Sequence, residues 1–185
     1  MNSVLKMKPD IIIVDDHLIF RQGLKAIINF ENVGSVIAEV SDGDEFIELL
    51  STLKPDLVLM DIDMPRMNGF EATKKALEII PDLKIIVFTM YSENEYYQKM
   101  MDVGAKGFIH KTSGFNELEN AIKIVMTGEN YFINEQQKVT NPLSDQNEIT
   151  KNLMNNDVLT SKKGKMLFFP WVVKRMNGIK VSNKI

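Results

Sequence analysis

Three aspartates, a threonine and a lysine carry the chemistry in this sequence. Each lies at the end of a short apolar run: Asp15 and Asp16 after 11–14, Asp61 near the end of 57–62, Thr89 after 85–88, and Lys111 after 107–109. Clustered carboxylates repel one another unless a cation joins them. Hard oxygen donors suit Mg²⁺, which takes one or two carboxylates and keeps several waters. Every member of the set also has a plainer role. Asp16 can cap the next helix. Asp61 or Asp63 can be a turn residue before Pro65. Thr89 fits any strand, and Lys111 can be a solvated charge. Taken singly, the plainer role wins for all but the adjacent pair Asp15-Asp16. Taken together, it needs five coincidences at one edge of one sheet.

A parallel sheet would bring these residues together. The run 57–62 begins LVLM, with no alternating polar positions, which marks a strand buried on both faces. Sheets of such strands hold ligands at the carboxyl ends. Strand and helix signals alternate up to about residue 133. Strands are expected at 11–14, 36–40, 57–62, 85–88 and 107–109. The first helical pattern carries Leu18, Leu24, Ile27 and Ile28. The second opens at Asp42-Gly43-Asp44 and carries Phe46, Ile47, Leu49 and Leu50. A third runs over 69–80, and a fourth is capped by Ser92 and stopped at Gly104. The last spans 115–126, with Leu118, Ile122, Val125 and Met126 on one stripe. Five β/α units imply a parallel sheet with helices on both faces. The expected strand order is 2-1-3-4-5, with the switch point between the first and third strands. That order makes Asp15, Asp16 and Asp61 neighbours.

The bulk composition narrows the options. A chain of 185 residues with 44% hydrophobic content allows one ordinary domain and a remnant. The absence of cysteine excludes disulfides, thiolate zinc sites and a cysteine nucleophile, and two histidines are too few for most zinc centres. No apolar stretch approaches a membrane span, and the start lacks a signal peptide's apolar core, so a soluble cytoplasmic protein is expected. The net charge of −3 hides an asymmetry. Residues 151–185 hold eight basic and one acidic side chain, hence +7, and residues 1–150 hold 14 basic and 24 acidic, hence −10. Residues 134–158 are polar and rich in Asn and Gln, and read as a linker.

Residues 10–133 resemble the receiver domain of a two-component response regulator. IIIVDDH, LVLMDIDMPRMNG, IIVFTMYSENEYY and GAKGFIHK occur in receiver order and at receiver spacing. VFTMYSENEYY and GFIHKTSGFNELENAI resemble the NarL/FixJ subfamily, whose members carry a LuxR-type output domain. The resemblance implies a flavodoxin-like (βα)5 receiver over 8–133. It implies that Asp61 accepts a phosphoryl group from the phosphohistidine of a sensor histidine kinase, forming an acyl phosphate. Asp16 and Asp61 would then ligate Mg²⁺ directly, Asp15 through water, and Asp63 through its backbone carbonyl. Lys111 and Thr89 would hold the phosphoryl oxygens, Thr89 only after moving towards them, and Phe108 would be the aromatic that turns inward. Asp63 and Tyr91, two positions after Asp61 and Thr89, would tune the lifetime of the acyl phosphate. Phosphoryl transfer needs positioning and charge neutralisation more than covalent help, which agrees with this set. The family acts as a switch that slowly dephosphorylates itself rather than as a classical enzyme. Its usual signalling face, available for a homodimer, is the fourth helix, fifth strand and fifth helix, here with Tyr96, Tyr97, Met100, Met101, Leu118 and Ile122.

Two departures stand out. Thr112 follows the lysine where many receivers have a proline preceded by a cis bond. LTSKKGKML, residues 159–167, resembles the first motif of a LuxR-type helix-turn-helix, with Lys162, Lys163 and Lys165 in place of an arginine and two glutamates. Gly164 weakens that helix and Pro170 breaks it. We therefore expect a truncated or degenerate output remnant over 159–185, touching DNA weakly and without base readout. One alternative is a working DNA-binding regulator. Another is a haloacid-dehalogenase-type phosphatase, but such enzymes place their D-x-D on the first strand, and Asp61–Asp63 lies on the third.

Overall fold

The computed structural model describes residues 8–91 and 94–132, Asn94 by its backbone alone. The chain divides into two units between Phe132 and Ile133, and the described residues all belong to the first. The expected Ser92 cap, the linker 134–158 and the remnant 159–185 lie outside the described residues.

The elements alternate as the sequence predicts: β1 (Asp10–Val14), α1 (Leu18–Phe30), β2 (Ser35–Val40), α2 (Gly43–Leu49), β3 (Leu57–Met60), α3 (Gly69–Ile79), β4 (Lys84–Thr89), α4 (Asn94–Val103), β5 (Gly107–His110), α5 (Phe115–Met126) and β6 (Tyr131–Phe132). The strands form one parallel sheet in the order β2-β1-β3-β4-β5-β6. The flavodoxin-like order 2-1-3-4-5 holds, and β6 extends it. That two-residue strand is too short to leave a period in the sequence. It is fixed by long-range pairing, with the Tyr131 N–H donating to the Lys106 carbonyl at 2.8 Å.

Both faces of the sheet are covered, as the apolar strands require. On one face Ile12, Val14, Val58, Met60 and Ile85 pack against Phe46 and Leu50 near α2 and against Ala72 and Ala76 of α3. The alternate strand residues Ile11, Ile13, Leu57, Leu59 and Ile86 are equally buried. The buried stripe of α1 is Arg21, Leu24 and Ile28, not the expected Leu18, which is exposed along with Ile19. Helix α5 keeps its expected span and buries Leu118, Ile122 and Val125. Gly104 ends α4 at φ +101°, a conformation that costs glycine no steric penalty. Among the described residues no helix is long and apolar enough to cross a membrane.

The strand ends meet in register. Val14 pairs with Met60, Met60 with Val87, and Thr89 with His110. Strand β3 stops at Met60, two residues earlier than expected. The Asp61 carboxylate accepts the Ile62 N–H at 2.8 Å, so this side chain claims the donor that a longer ladder would use.

Candidate functional site

The carboxyl end of the sheet brings three of the five chemical groups into direct contact. Lys111 places Nζ 2.5 Å from Asp61 Oδ2 and 2.7 Å from Asp15 Oδ2, and all three side chains are buried. The same ammonium lies 4.8 Å from the centroid of the Phe20 ring. The expected repulsion between carboxylates is thus partly met by Lys111. Burial pushes the Asp15 carboxyl above the usual carboxylate range, the neighbouring Asp61 adds to the push, and Lys111 opposes it without cancelling it.

Asp16 stands at the opening, with a third of its side chain exposed. It does not cap α1: the N-cap is His17, whose backbone N–H donates to Asp15 Oδ1 at 2.9 Å. The plainer role offered for Asp16 is therefore not taken. The imidazole Nδ1 of His17 lies 2.6 Å from Asp16 Oδ1. Donor atoms of Asp15, Asp16, His17 and Asp61 all fall within 4.8 Å of one another. Three carboxylates, one of them facing solvent, make a donor set that fits a hard divalent cation.

Two residues here were missed in the sequence. His17 signals itself only by following the aspartate pair. Arg21 is buried, and its Nη1 donates to the Asp15 carbonyl, bracing the turn that leaves β1. An arginine on a helix's apolar stripe was its only signal.

Thr89 is fully buried at the end of β4, and its carbonyl accepts the Lys111 N–H at 2.6 Å, so the two residues are adjacent. Its hydroxyl oxygen accepts the Tyr91 N–H at 3.4 Å. Asp63 and Tyr91 form their own pair at the rim, the phenol donating to Asp63 Oδ2 at 3.1 Å. That bond, helped by partial burial, raises the Tyr91 hydroxyl above its ordinary pKa. The Tyr91 ring packs on Tyr96 at 4.6 Å between centroids. Phe108 is not at the carboxylate cluster. It packs with Val87 and Met100, 5.5 Å from the Tyr97 ring, and Tyr97 also meets Phe132 at 5.5 Å.

The loop carrying Asp63 is held from below. Asp42 accepts the Arg66 N–H at 2.9 Å and the Met67 N–H at 2.8 Å, and it also caps α2. Burial alone would raise the Asp42 carboxyl, but these backbone donors outweigh it and hold the group below the usual range. Gly69, at the start of α3, approaches so closely that a Cβ there would lie 2.1 Å from the Asp61 carbonyl oxygen.

Of the residues expected on the signalling face, Met100, Leu118 and Ile122 are core, Tyr96 and Tyr97 are half-buried, and Met101 is exposed. Strand β6 occupies the outer edge of β5, which the five-strand order had left open. The Lys111–Thr112 bond is trans, and no cis peptide occurs among the described residues.

The chain is similar to known proteins. Residues 11–123 match the family model described as the response regulator receiver domain. The transcriptional regulatory protein DegU of Brevibacillus brevis is 36% identical over 141 residues, which are 76% of this chain and 58% of that protein. The oxygen regulatory protein NreC of Staphylococcus haemolyticus is 36% identical over 158 residues, 85% of this chain and 70% of that protein. Among solved structures, a two-component response regulator of the LuxR family from Aurantimonas sp. SI85-9A1 superposes with a TM-score of 0.66 at 30% identity, covering 71% of this chain and 94% of the other. Sheet order and these matches agree, and the chain belongs to the response regulator receiver domain family of two-component systems.

Proposed function

We propose that Asp61 accepts a phosphoryl group from the phosphohistidine of a sensor histidine kinase. The observation that carries this reading is the buried contact of Lys111 with Asp61 and Asp15 at a sheet end. The Asp61 carboxylate forms the new O–P bond, the N–P bond of the phosphohistidine breaks, and the imidazole leaves with its electron pair. Mg²⁺ would be held by Asp16 and Asp61, by Asp15 through water and by the Asp63 carbonyl, and would supply the charge neutralisation that lets two anions meet.

Lys111 holds Asp61 in place at rest and then serves the phosphoryl oxygens. Because the Thr89 hydroxyl accepts from the Tyr91 N–H, its own proton remains to be donated to the phosphoryl group. A shift of Thr89 would change the packing at Val87 and Phe108, and Phe108 is the aromatic that follows. Asp63 and Tyr91, bonded to each other at the rim, limit the approach of hydrolytic water.

Beyond the phosphorylation site, residues 8–133 form the receiver, 134–158 a linker and 159–185 a LuxR-type remnant with weak, non-specific affinity for DNA. A homodimer would use the α4–β5–α5 face. The name of the DegU relative, a transcriptional regulatory protein, favours a second reading in which the whole protein still regulates transcription.

Incubation with acetyl phosphate and Mg²⁺ should add one phosphoryl group to the intact mass, chelation should stop the gain, and Asp61→Asn should gain none. A wild type that gains nothing, or an Asp61→Asn variant that gains equally, sinks the reading.

A further inference from the structure

The residue before Lys111 is a histidine that bridges two loops. His110 Nε2 lies 2.6 Å from the carbonyl oxygen of Met90, the residue after Thr89. Its Nδ1 lies 2.5 Å from Thr112 Oγ1 and 3.3 Å from the Thr112 backbone nitrogen, in the residue after Lys111. A carbonyl can only accept, so Nε2 carries the proton. Nδ1 is then an acceptor, and Thr112 offers it both an O–H and an N–H. All three contacts are satisfied by one tautomer of the neutral ring.

Thr112 stands where many receivers have a proline. Proline would constrain this turn through its fixed φ. Here the turn is held instead by a side chain that also reaches the neighbouring strand's exit. Of the groups proposed to hold the phosphoryl oxygens, Thr89 lies one residue before Met90, and Lys111 lies between His110 and Thr112. The ladder contributes one more tie, the Lys111 N–H on the Thr89 carbonyl at 2.6 Å. His110 itself touches none of the reacting atoms.

We propose that His110 is a positioning residue for phosphoryl transfer, its imidazole latching Met90 to Thr112 and so fixing Lys111 against Thr89. The role rests on the reading of Asp61 as the phosphoacceptor. Transfer through a loose transition state depends on placing the groups that meet its charge, and a misplacement of about 1 Å is costly.

The test compares full-length wild type, His110→Leu and His110→Gln, timed by intact mass with acetyl phosphate and Mg²⁺. His110→Leu should lower the maximal phosphorylation rate about tenfold, with the half-saturating donor concentration little changed. His110→Gln, whose amide can still donate to the Met90 carbonyl, should recover part of the loss. Wild-type speed in a folded His110→Leu overturns the latch and leaves the Asp61 reading standing. A wild type that takes no phosphoryl group overturns that reading and this role with it. Should His110→Leu fail to fold, the imidazole nitrogen signals of the ¹⁵N-labelled wild type decide. A single Nε2–H tautomer above neutral pH supports the latch, and a mixture of both tautomers overturns it.

Discussion

Lys111, Asp15 and Asp61 are three buried ionisable groups with one negative charge to spare. Removing Lys111 would leave two buried carboxylates without their cation, so Lys111→Ala should cost about 3 kcal/mol in denaturant unfolding. Removing the surplus charge should do the reverse. The Asp15 carboxyl is raised in the fold, so its stabilising contribution is complete below the ordinary carboxylate range and is lost as pH rises through the raised value. Asp15→Asn should therefore raise the thermal midpoint by a few degrees near neutral pH, and the gain should shrink as pH falls towards the ordinary carboxylate range. Metal-free melts at both pH values check this, and an equal gain in acid would refute it. At the rim, Tyr91→Ala should hydrolyse its acyl phosphate several-fold faster than wild type. Tyr91→Phe, which keeps the ring and loses the bond to Asp63, separates shielding from tethering in the same decay assay.

The elements hold these side chains by a few specific contacts. Asp42 accepts two N–H groups of the β3–α3 loop and caps α2, so Asp42→Ala should cost about 2 kcal/mol and loosen the loop that carries Asp63. Its carboxyl is held low, so that contribution is present above the ordinary carboxylate range and fades as pH falls through the depressed value. Urea unfolding at neutral and acidic pH should show the deficit of Asp42→Ala shrinking in acid. Gly69→Ala drives a methyl group into the Asp61 backbone carbonyl, where no flexible side chain can yield. A loss of about 2 kcal/mol is expected, together with slower phosphorylation, because relief of the clash must move either α3 or Asp61. Wild-type rates in that variant would show that α3 does not set the position of Asp61.

Charge is divided along the chain more sharply than its net value shows, with −10 on residues 1–150 and +7 on 151–185. On the reading proposed above, the basic segment 151–185 would neutralise phosphates without reading bases. Two unrelated DNA duplexes should therefore bind alike in fluorescence anisotropy, both weakening steeply with added salt. A preference for one duplex that survives salt would favour the working-regulator alternative. The sheet's far edge bears on the same question. Strand β6 pairs with β5, and the rings of Phe108, Tyr97 and Phe132 run in sequence to the last described residue. The β5 edge of the face expected to carry a signal is thus covered by β6.

Residue types and local spacing were enough to name the strands, the parallel order and the convergence of Asp15, Asp16, Asp61, Thr89 and Lys111. Apolar runs mark strands, and a doubly wound sheet has one end where such residues can meet. The span of α5 was legible for the same reason, since its stripe is periodic. Other features have no local signature. Leu18 fits the helical period and yet faces solvent, and Met100 and Met101 are adjacent in sequence but opposite in burial. Strand β6 is two residues long. The pairing of Lys111 with both Asp15 and Asp61, the bond from Tyr91 to Asp63 and the His110 bridge each join residues on different strands or loops. Which partner each side chain finds depends on strand register and on the path of the loops, and these are set by packing over the whole sheet rather than by any neighbouring residue.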